Sequence, residues 1–169
     1  TLMQMIMSYK QQYNFNGVNL IPVNMYGPHD DFDPSSSHVI PALILKIHNA
    51  MKQTPHADLS VWGTGSASRE FLYVEDSAEA IVKAMASHND PEPINIGTGS
   101  EITIKNLVET IADLMGFNGK IVWDSSKPDG QPRRCLDTNR AEKRLGFKAK
   151  TSLKEGLKTT IEWFRAAND

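Results

Sequence analysis

The residues best suited to chemistry lie in three loops of this chain. His38 follows three serines and stands directly before a helical pattern; its imidazole could transfer protons or could be a solvated surface group. Trp62 and Arg69 stand at the ends of two predicted strands, where an aromatic ring and a guanidinium could stack a base and hold a phosphate. The other interpretation of this pair is a core tryptophan and an arginine ion-paired with Glu70 or Glu75.

A basic loop follows later in the chain. The segment Lys127-Pro-Asp-Gly-Gln-Pro-Arg-Arg134 places three cations within eight residues, with two prolines between them. A stiff loop loses little entropy when it binds a diphosphate, although a solvated basic loop is an equally open interpretation. No second histidine or cysteine stands at metal-ligand spacing near His38, so the sequence predicts no metal site. The remaining isolated histidines, His48, His56 and His88, are predicted to be surface residues.

Two glycine patterns begin like a dinucleotide-binding fingerprint. They are Gly63-Thr-Gly-Ser-Ala-Ser68 and Gly97-Thr-Gly-Ser-Glu-Ile102, and both lack the third glycine. The first precedes a predicted strand. The second precedes a predicted helix, but no acidic residue follows at the end of a strand about 20 positions later. The sequence therefore predicts two tight turns and no complete phosphate loop.

Composition limits the classes of function. The net charge of −2 over 169 residues gives no electrostatic reason to expect a nucleic-acid partner. No apolar run has the length of a membrane span, so no membrane partner is expected. Cys135 is the single cysteine, which excludes an internal disulfide and is typical of a reducing compartment. We therefore expect a cytoplasmic location.

Hydrophobic periodicity alternates between the two regular elements. Apolar residues at helical spacing, together with capping residues, predict helices over the first dozen residues, 39–51, 75–86 and 104–115, between Asp137 and Gly146, and after a capping box of Ser152 and Glu155. The Asn16-Gly17 pair is expected to end the first helix. Short apolar runs predict strands at 19–23, 59–62, 69–74, 94–96 and 121–123, the first of them buried. This alternation predicts the α/β class.

Five motifs follow one another over nearly the whole chain. They are Asn-x-Tyr-Gly-Pro-His-Asp from residue 24, Ser-His-Val-Ile-Pro-Ala from 37, Trp-Gly-x-Gly-x-x-x-Arg-Glu-Phe from 62, Asn-Ile-Gly-Thr-Gly from 95 and Lys-Pro-Asp-Gly-x-Pro-Arg from 127. In this order they resemble the motifs of the GDP-L-fucose synthases, a group of sugar-nucleotide epimerase-reductases in the extended short-chain dehydrogenase/reductase family. The resemblance implies the C-terminal part of an extended Rossmann-type reductase. Residues 1–30 would be a remnant of the dinucleotide-binding domain and its parallel sheet. Residues 31–169 would be mainly a small sugar-nucleotide-binding α/β domain, with segments near 69–97 returning to the sheet.

The resemblance also implies a reaction. The family epimerises C3 and C5 of GDP-4-keto-6-deoxy-D-mannose and reduces C4 with NADPH. Its Gly-rich loop and its Tyr-x-x-x-Lys pair are not found in these 169 residues, so we expect the chain alone to be inactive and its own binding of NADP to be doubtful. Two alternatives stay open: another sugar-nucleotide epimerase or dehydratase, acting on a UDP- or dTDP-sugar, and a non-catalytic module that binds a GDP-sugar.

Site residues follow from the same resemblance. Pro22, Asn24 and Met25 would line the nicotinamide end of the cofactor site, and His38 would be an acid in epimerisation that also contacts the cofactor. The positions expected to surround the GDP-sugar are Val39, Lys46, Trp62, Arg69, Asp129 and Arg134. The apolar side of the first helix is expected to drive formation of a homodimer or a larger assembly.

Overall fold

A computed structural model describes residues 2–53 and 57–168 of the chain. These residues form two compact units. The first unit comprises residues 2–25, 70–100 and 135–151, and the second comprises 26–53, 57–69, 101–134 and 152–168. This division is a structural one and does not show what either unit binds. The predicted division into a cofactor-binding remnant and a substrate-binding domain therefore stays a prediction.

Helices and strands alternate along the chain. The helices are α1 (Leu2–Tyr13), α2 (Val39–Met51), α3 (Val74–Ser87), α4 (Ile104–Met115), α5 (Asn139–Leu145) and α6 (Leu153–Asn168). The strands are β1 (Leu20–Pro22), β2 (Asn24–Tyr26), β3 (Leu59–Trp62), β4 (Ser68–Arg69), β5 (Phe71–Tyr73), β6 (Ile94–Ile96), β7 (Ile102–Thr103), β8 (Ile121–Asp124) and β9 (Arg133–Arg134). Among the described residues, no helix has the length and apolar character that a membrane crossing requires.

The first unit is built on parallel pairing of β1 with β6. Leu20 lies opposite Ile94 and Pro22 opposite Ile96, and the N–H of Val23 donates to the carbonyl of Ile96 at 2.9 Å. A second pair joins β5 to β2, of which Asn24 and Met25 belong to this unit. Helices α3 and α5 cover this unit's core, whose members include Val23, Leu72, Ala80, Ile94, Ile96, Ala141 and Phe147. Burial of these apolar side chains away from water is the main force that holds the unit together.

The second unit holds two further sheets. Strands β3 and β8 run parallel over four residue pairs, from Leu59 opposite Ile121 to Trp62 opposite Asp124. A three-stranded sheet has the order β7-β4-β9, with β4 antiparallel to β7 and parallel to β9. Helix α4 contacts both α2 and α6. The fully buried side chains of these helices include Ile40, Ile44, Ile47, Leu107, Ile111 and Leu157.

The predicted α/β class is confirmed, and several helix ends are confirmed in detail. The bounds of α2 are those predicted, and the hydroxyl of Thr103 accepts from the N–H of Asn106 as an N-cap of α4. The N–H of Ser152 donates to the carboxylate of Glu155, and the N–H of Glu155 donates back to the Ser152 hydroxyl. These bonds form the predicted capping box, because each side chain satisfies a backbone donor that the first helical turn leaves free.

Four predictions about local structure are wrong. The predicted strand 69–74 is interrupted at Glu70, whose side chain is fully buried, and α3 already begins at Val74. The predicted buried strand 19–23 is only partly buried, because Ile21 is 38% exposed. Helix α1 ends at Tyr13, and the left-handed residue after it is Asn14. His48 is buried, with its ring 5.2 Å from that of Phe164. The prediction for His56 lies outside the described residues.

Candidate functional site

Trp62 lies at the end of β3 in the second unit, with an exposed indole. Its relative exposure is 67%, so the interpretation as a core tryptophan is wrong. The ammonium groups of Lys46 and Lys127 each lie 5.7 Å from the centre of the ring. Cations at this distance are attracted to the electron-rich face of an aromatic ring. The result is a flat apolar surface with two positive charges close to it.

The basic loop is tied to the turn after β3 by Asp129. The carboxylate accepts from the Thr64 N–H at 2.6 Å and from the Thr64 hydroxyl at 2.7 Å. The hydroxyl of Thr64, followed by its backbone N–H, holds the pKa of Asp129 below its usual value. Gly63 allows this approach, because a Cβ there would collide with the Asp129 carboxylate. Asp129 therefore joins two loops; its predicted contact with a sugar nucleotide stays a prediction.

Arg69 and Arg134 are partners across two parallel strands. Arg69 of β4 lies in register with Arg134 of β9, so both residues belong to the same face of this sheet. The Arg69 guanidinium donates to the carbonyl of Ser68 at 2.7 Å and lies over Gly130 in the basic loop. Within the part of the chain that the structure describes, Arg69 forms no ion pair, so the interpretation as an arginine paired with Glu70 or Glu75 is wrong.

The opposite face of the same strand pair is held by Glu101. Its carboxylate accepts from the Ser68 hydroxyl at 2.7 Å and from Nε of Arg133 at 2.8 Å. These two donors, with Ser68 the larger influence, lower the pKa of Glu101. Sequence reasoning missed Glu101, because its partners are 32 and 33 residues away along the chain.

His38 and Val39 lie at the start of α2. His38 is the N-cap residue, its backbone is extended, and its imidazole is exposed and makes no capping hydrogen bond. Val39 and Lys46 are seven residues apart, so they share one face of the helix two turns apart, a rise of about 10 Å. Helix α2 therefore has an exposed imidazole at its N-terminus and a cation beside the Trp62 ring farther along, and the proton-transfer role of His38 stays a prediction.

The three predicted cofactor residues belong to the first unit. Pro22 ends β1 and is exposed, as is Met25 in β2. The side-chain amide of Asn24 donates to the carbonyl of Glu70 at 3.0 Å, and the Ser77 hydroxyl donates to the sulfur of Met25 at 3.1 Å. Pro22 lies beside Ile96 at the carboxyl ends of two parallel strands, which is where open α/β sheets bind ligands.

The buried side chain of Glu70 holds the turn that follows β6, a role that the sequence did not predict. Its carboxyl group accepts from the backbone N–H groups of Thr98 at 2.6 Å, Gly99 at 2.8 Å and Leu136 at 2.7 Å. A Cβ at Gly97 would collide with the same carboxyl group. The fixed turn 97–99 is therefore built around a buried acid, and only the glycines of the turn gave a sequence signal.

The predicted site residues fall into two groups. Contacts within the second unit connect Lys46, Trp62, Arg69, Asp129 and Arg134 through the loop 127–134. His38 and Val39 belong to the same unit and connect to this group along α2. Pro22, Asn24 and Met25 form a separate group in the first unit.

Comparisons with known proteins find similar chains over nearly the whole length of this one. The chain is 47% identical over 161 residues to "Probable GDP-L-fucose synthase 1" of Oryza sativa subsp. japonica, covering 95% of this chain and 48% of the relative. The crystal structure of a GDP-L-fucose synthetase from Naegleria fowleri bound to NADP superimposes with a TM-score of 0.89 at 30% identity, covering 98% and 51% of the two chains. UDP-glucose 4-epimerase from Thermotoga maritima with UDP-glucose gives a TM-score of 0.86 at 27% identity, covering 99% and 52%.

The chain spans about half the length of the curated relatives it matches. The family model for the NAD dependent epimerase/dehydratase family matches residues 1–97, which is more than half of the sequence. The matched residues include both strands of the parallel β1–β6 pair. The chain belongs to the NAD dependent epimerase/dehydratase family.

Proposed function

We propose that this chain is the sugar-nucleotide-binding half of a GDP-L-fucose synthase. The intact enzyme would epimerise C3 and C5 of GDP-4-keto-6-deoxy-D-mannose and reduce C4 with NADPH. The observation that carries the proposal is the exposed Trp62 ring with two lysine ammonium groups near it, in the same unit as an in-register pair of arginines. The 47% identity to a rice protein of that name supports the choice of GDP-sugar.

The roles divide along the second unit. The guanine base stacks on Trp62, because the exposed ring offers a π-face and stacking on such a ring is worth about 1–3 kcal/mol per base. Arg69 and Arg134 hold the diphosphate, since a guanidinium presents its donors in a fork that fits phosphate oxygens. Lys46 and Lys127 add positive charge beside the base and the phosphates.

His38 acts on the sugar at the far end of α2 from Lys46. Protons next to a ketone are acidic, because the resulting enolate is stabilised, so an acid and a base on opposite faces can invert C3 and C5. His38 is the acid in this proposal, since its exposed imidazole is not used in capping the helix. Val39 packs against the sugar beside it, and Asp129 adds a contact from the loop that it anchors.

Pro22, Asn24 and Met25 would line the nicotinamide end of an NADP site. Pro22 at the carboxyl end of β1 and Met25 in β2 both offer exposed apolar surface, and such surface fits one face of a flat ring. When bound, NADPH would supply the hydride that reduces C4. The 169 residues contain no Tyr-x-x-x-Lys pair and no Gly-rich phosphate loop, so in this proposal the chain alone binds the sugar nucleotide and does not turn it over.

The same proposal assigns functions to segments of the chain. Residues 1–30 belong to the dinucleotide-binding domain, and residues 31–169 mainly to the substrate-binding domain, with 69–97 returning to the sheet. The two compact units support this assignment in part, because the cofactor group and the sugar-nucleotide group fall in different units. A cytoplasmic location is proposed with it, and rests on the use of a single cysteine.

A competing function is the binding of a UDP-sugar, which the likeness to UDP-glucose 4-epimerase favours. Calorimetric titration of the chain with GDP, UDP and dTDP separates the two. We expect GDP to bind at least tenfold more tightly than either pyrimidine nucleotide, because a purine covers more of the Trp62 ring. Tighter binding of UDP would replace the proposed substrate. The absence of heat with every nucleotide at millimolar concentration would refute the binding role itself.

Self-association is proposed for the first unit. None of the residues of α1 is buried, and its exposed apolar side chains include Leu2, Met3, Met5, Met7 and Tyr9. On α3, Ile81 is 47%, Val82 65% and Met85 78% exposed. Apolar surface of this extent is costly in water and is typical of an interface between protein chains. We therefore propose a homodimer or a larger assembly.

A further inference from the structure

We propose that Glu101 is a positioning residue that holds Arg69 and Arg134 on the ligand-facing side of the β4–β9 strand pair. This inference rests on the proposed function, since it concerns how the diphosphate of the GDP-sugar is received. Glu101 itself contacts neither arginine in the described part of the chain, and it acts through Ser68 and Arg133.

The geometry of the two strands carries the inference. Successive residues of a strand alternate between its faces, so Ser68 and Arg133 share one face while Arg69 and Arg134 share the other. The Glu101 carboxylate binds one residue of each strand on the first face, at 2.7 and 2.8 Å. Each strand is only two residues long, so the Glu101 contacts add to a short ladder, in which β4 also pairs with β7. The Glu101 contacts on one face therefore help to fix the orientation of Arg69 and Arg134 on the other face.

Repulsion among the arginine side chains is a second reason for the Glu101 contacts. Like charges directly opposite each other on adjacent strands are destabilising, and Arg69 lies opposite Arg134. Arg133 brings a third guanidinium to the next position of the same strand. Glu101 compensates the charge of Arg133 and fixes it away from the other two. Arg69 and Arg134 are then held side by side, ready to bind the diphosphate.

Removal of the Glu101 carboxylate distinguishes a positioning role from a purely electrostatic one, because the two roles change the GDP affinity in opposite directions. A nearby negative charge repels a diphosphate, so Glu101→Gln would strengthen GDP binding if Glu101 acted only through the field of its charge. If Glu101 positions the arginines, the same substitution weakens binding, since a neutral amide holds the Arg133 guanidinium less strongly than a carboxylate does. Glu101→Asp keeps the charge but shortens the side chain, so it weakens binding only if position matters.

The matched control is Glu79→Gln. Glu79 has the same side-chain exposure as Glu101, 32%, and also binds two partners, Lys83 and Lys150, but in the first unit. The whole chain and each variant are titrated with GDP and with guanosine, which lacks the diphosphate, and thermal unfolding confirms that each variant is folded. We expect Glu101→Gln and Glu101→Asp to weaken GDP binding at least tenfold with guanosine binding unchanged, and Glu79→Gln to alter neither.

Each outcome separates this inference from the function on which it rests. If the unmodified chain binds GDP and Glu101→Gln binds it equally or more tightly, the positioning role is refuted and the GDP site stands. Equal losses for GDP and guanosine also refute it, because they indicate a general structural role. If the unmodified chain binds no nucleoside diphosphate, the proposed function fails first and the inference fails with it.

Discussion

Replacement of Glu70 by glutamine is expected to destabilise the first unit strongly although it changes a single atom. The carboxyl group has no solvent exposure and accepts three backbone N–H groups, two at one oxygen and one at the other. A carboxylate can only accept, whereas an amide has one acceptor atom and one donor group. If the amide oxygen keeps Thr98 and Gly99, the amide nitrogen faces the N–H of Leu136, donor against donor.

The magnitude follows from these bonds. Hydrogen bonds to a charged acceptor contribute about 1.5–3 kcal/mol and neutral ones about 0.5–1.5 kcal/mol, so the two retained bonds weaken by about 1 kcal/mol each. The lost third bond leaves a buried donor unsatisfied, at about 1–3 kcal/mol. Burial of a neutral amide costs less than burial of a charge, which offsets part of the loss. We expect a net decrease in the free energy of unfolding of about 2–4 kcal/mol.

Urea denaturation followed by circular dichroism measures this decrease. The matched control is Glu109→Gln, because Glu109 is exposed on α4, and its unfolding free energy is expected to change by less than about 0.5 kcal/mol. Comparable values for Glu70→Gln and the control would refute the structural role of the buried acid. A loss confined to the GDP affinity, with stability unchanged, would refute it as well.

Three further predictions concern other elements. Hydrogen bonds lower the pKa of Asp129 below its usual 3.8, so its stabilising effect is present above pH 3.8 and is lost as the pH falls through the lower folded-state value. The difference in melting temperature between the unmodified chain and Asp129→Asn should therefore be constant at neutral pH and shrink as the pH falls below 3.8. A difference that persists undiminished in acid would contradict this. Gly63→Ala and Gly116→Ala both place a methyl group on left-handed backbone, at a cost of about 1 kcal/mol. Only the Cβ at position 63 also meets Asp129, so urea denaturation should show the larger loss of unfolding free energy for Gly63→Ala. Equal losses would count against the contact. Met5→Glu combined with Met85→Glu should convert the assembly to a monomer in light scattering, and a monomeric unmodified chain would rule out the proposed interface.

Local sequence patterns predicted the helices and their ends well, and the long-range contacts between elements poorly. The bounds of α2, the Thr103 cap of α4 and the capping box of Ser152 and Glu155 depend on residues within four positions of each other, and all are confirmed. The break of the 69–74 strand at Glu70 depends on Leu136, 66 residues later, and no periodicity reports such a partner. The buried position of His48 likewise depends on Phe164 of a distant helix.

The candidate site shows the same division. Motif order identified Trp62, Arg69 and the basic loop, and the structure brings them together in one unit. Composition alone favoured a core tryptophan and an ion-paired arginine, because these are the common surroundings of such residues. What the sequence could not supply was Glu101, whose contacts to Ser68 and Arg133 arise only when three short strands pair.

The binding of a guanosine diphosphate by Trp62 and the arginine pair is tested by calorimetric titration of the unmodified chain, Trp62→Ala and Trp62→Phe with GDP and with inorganic pyrophosphate. The ring is two-thirds exposed, so its removal should leave the fold intact. We expect Trp62→Ala to weaken GDP binding about tenfold or more, since base stacking is worth about 1–3 kcal/mol. Trp62→Phe should bind GDP about as tightly as the unmodified chain, and pyrophosphate binding should change little in either variant. Equal GDP affinity for the unmodified chain and Trp62→Ala, or no GDP binding at all, would contradict it.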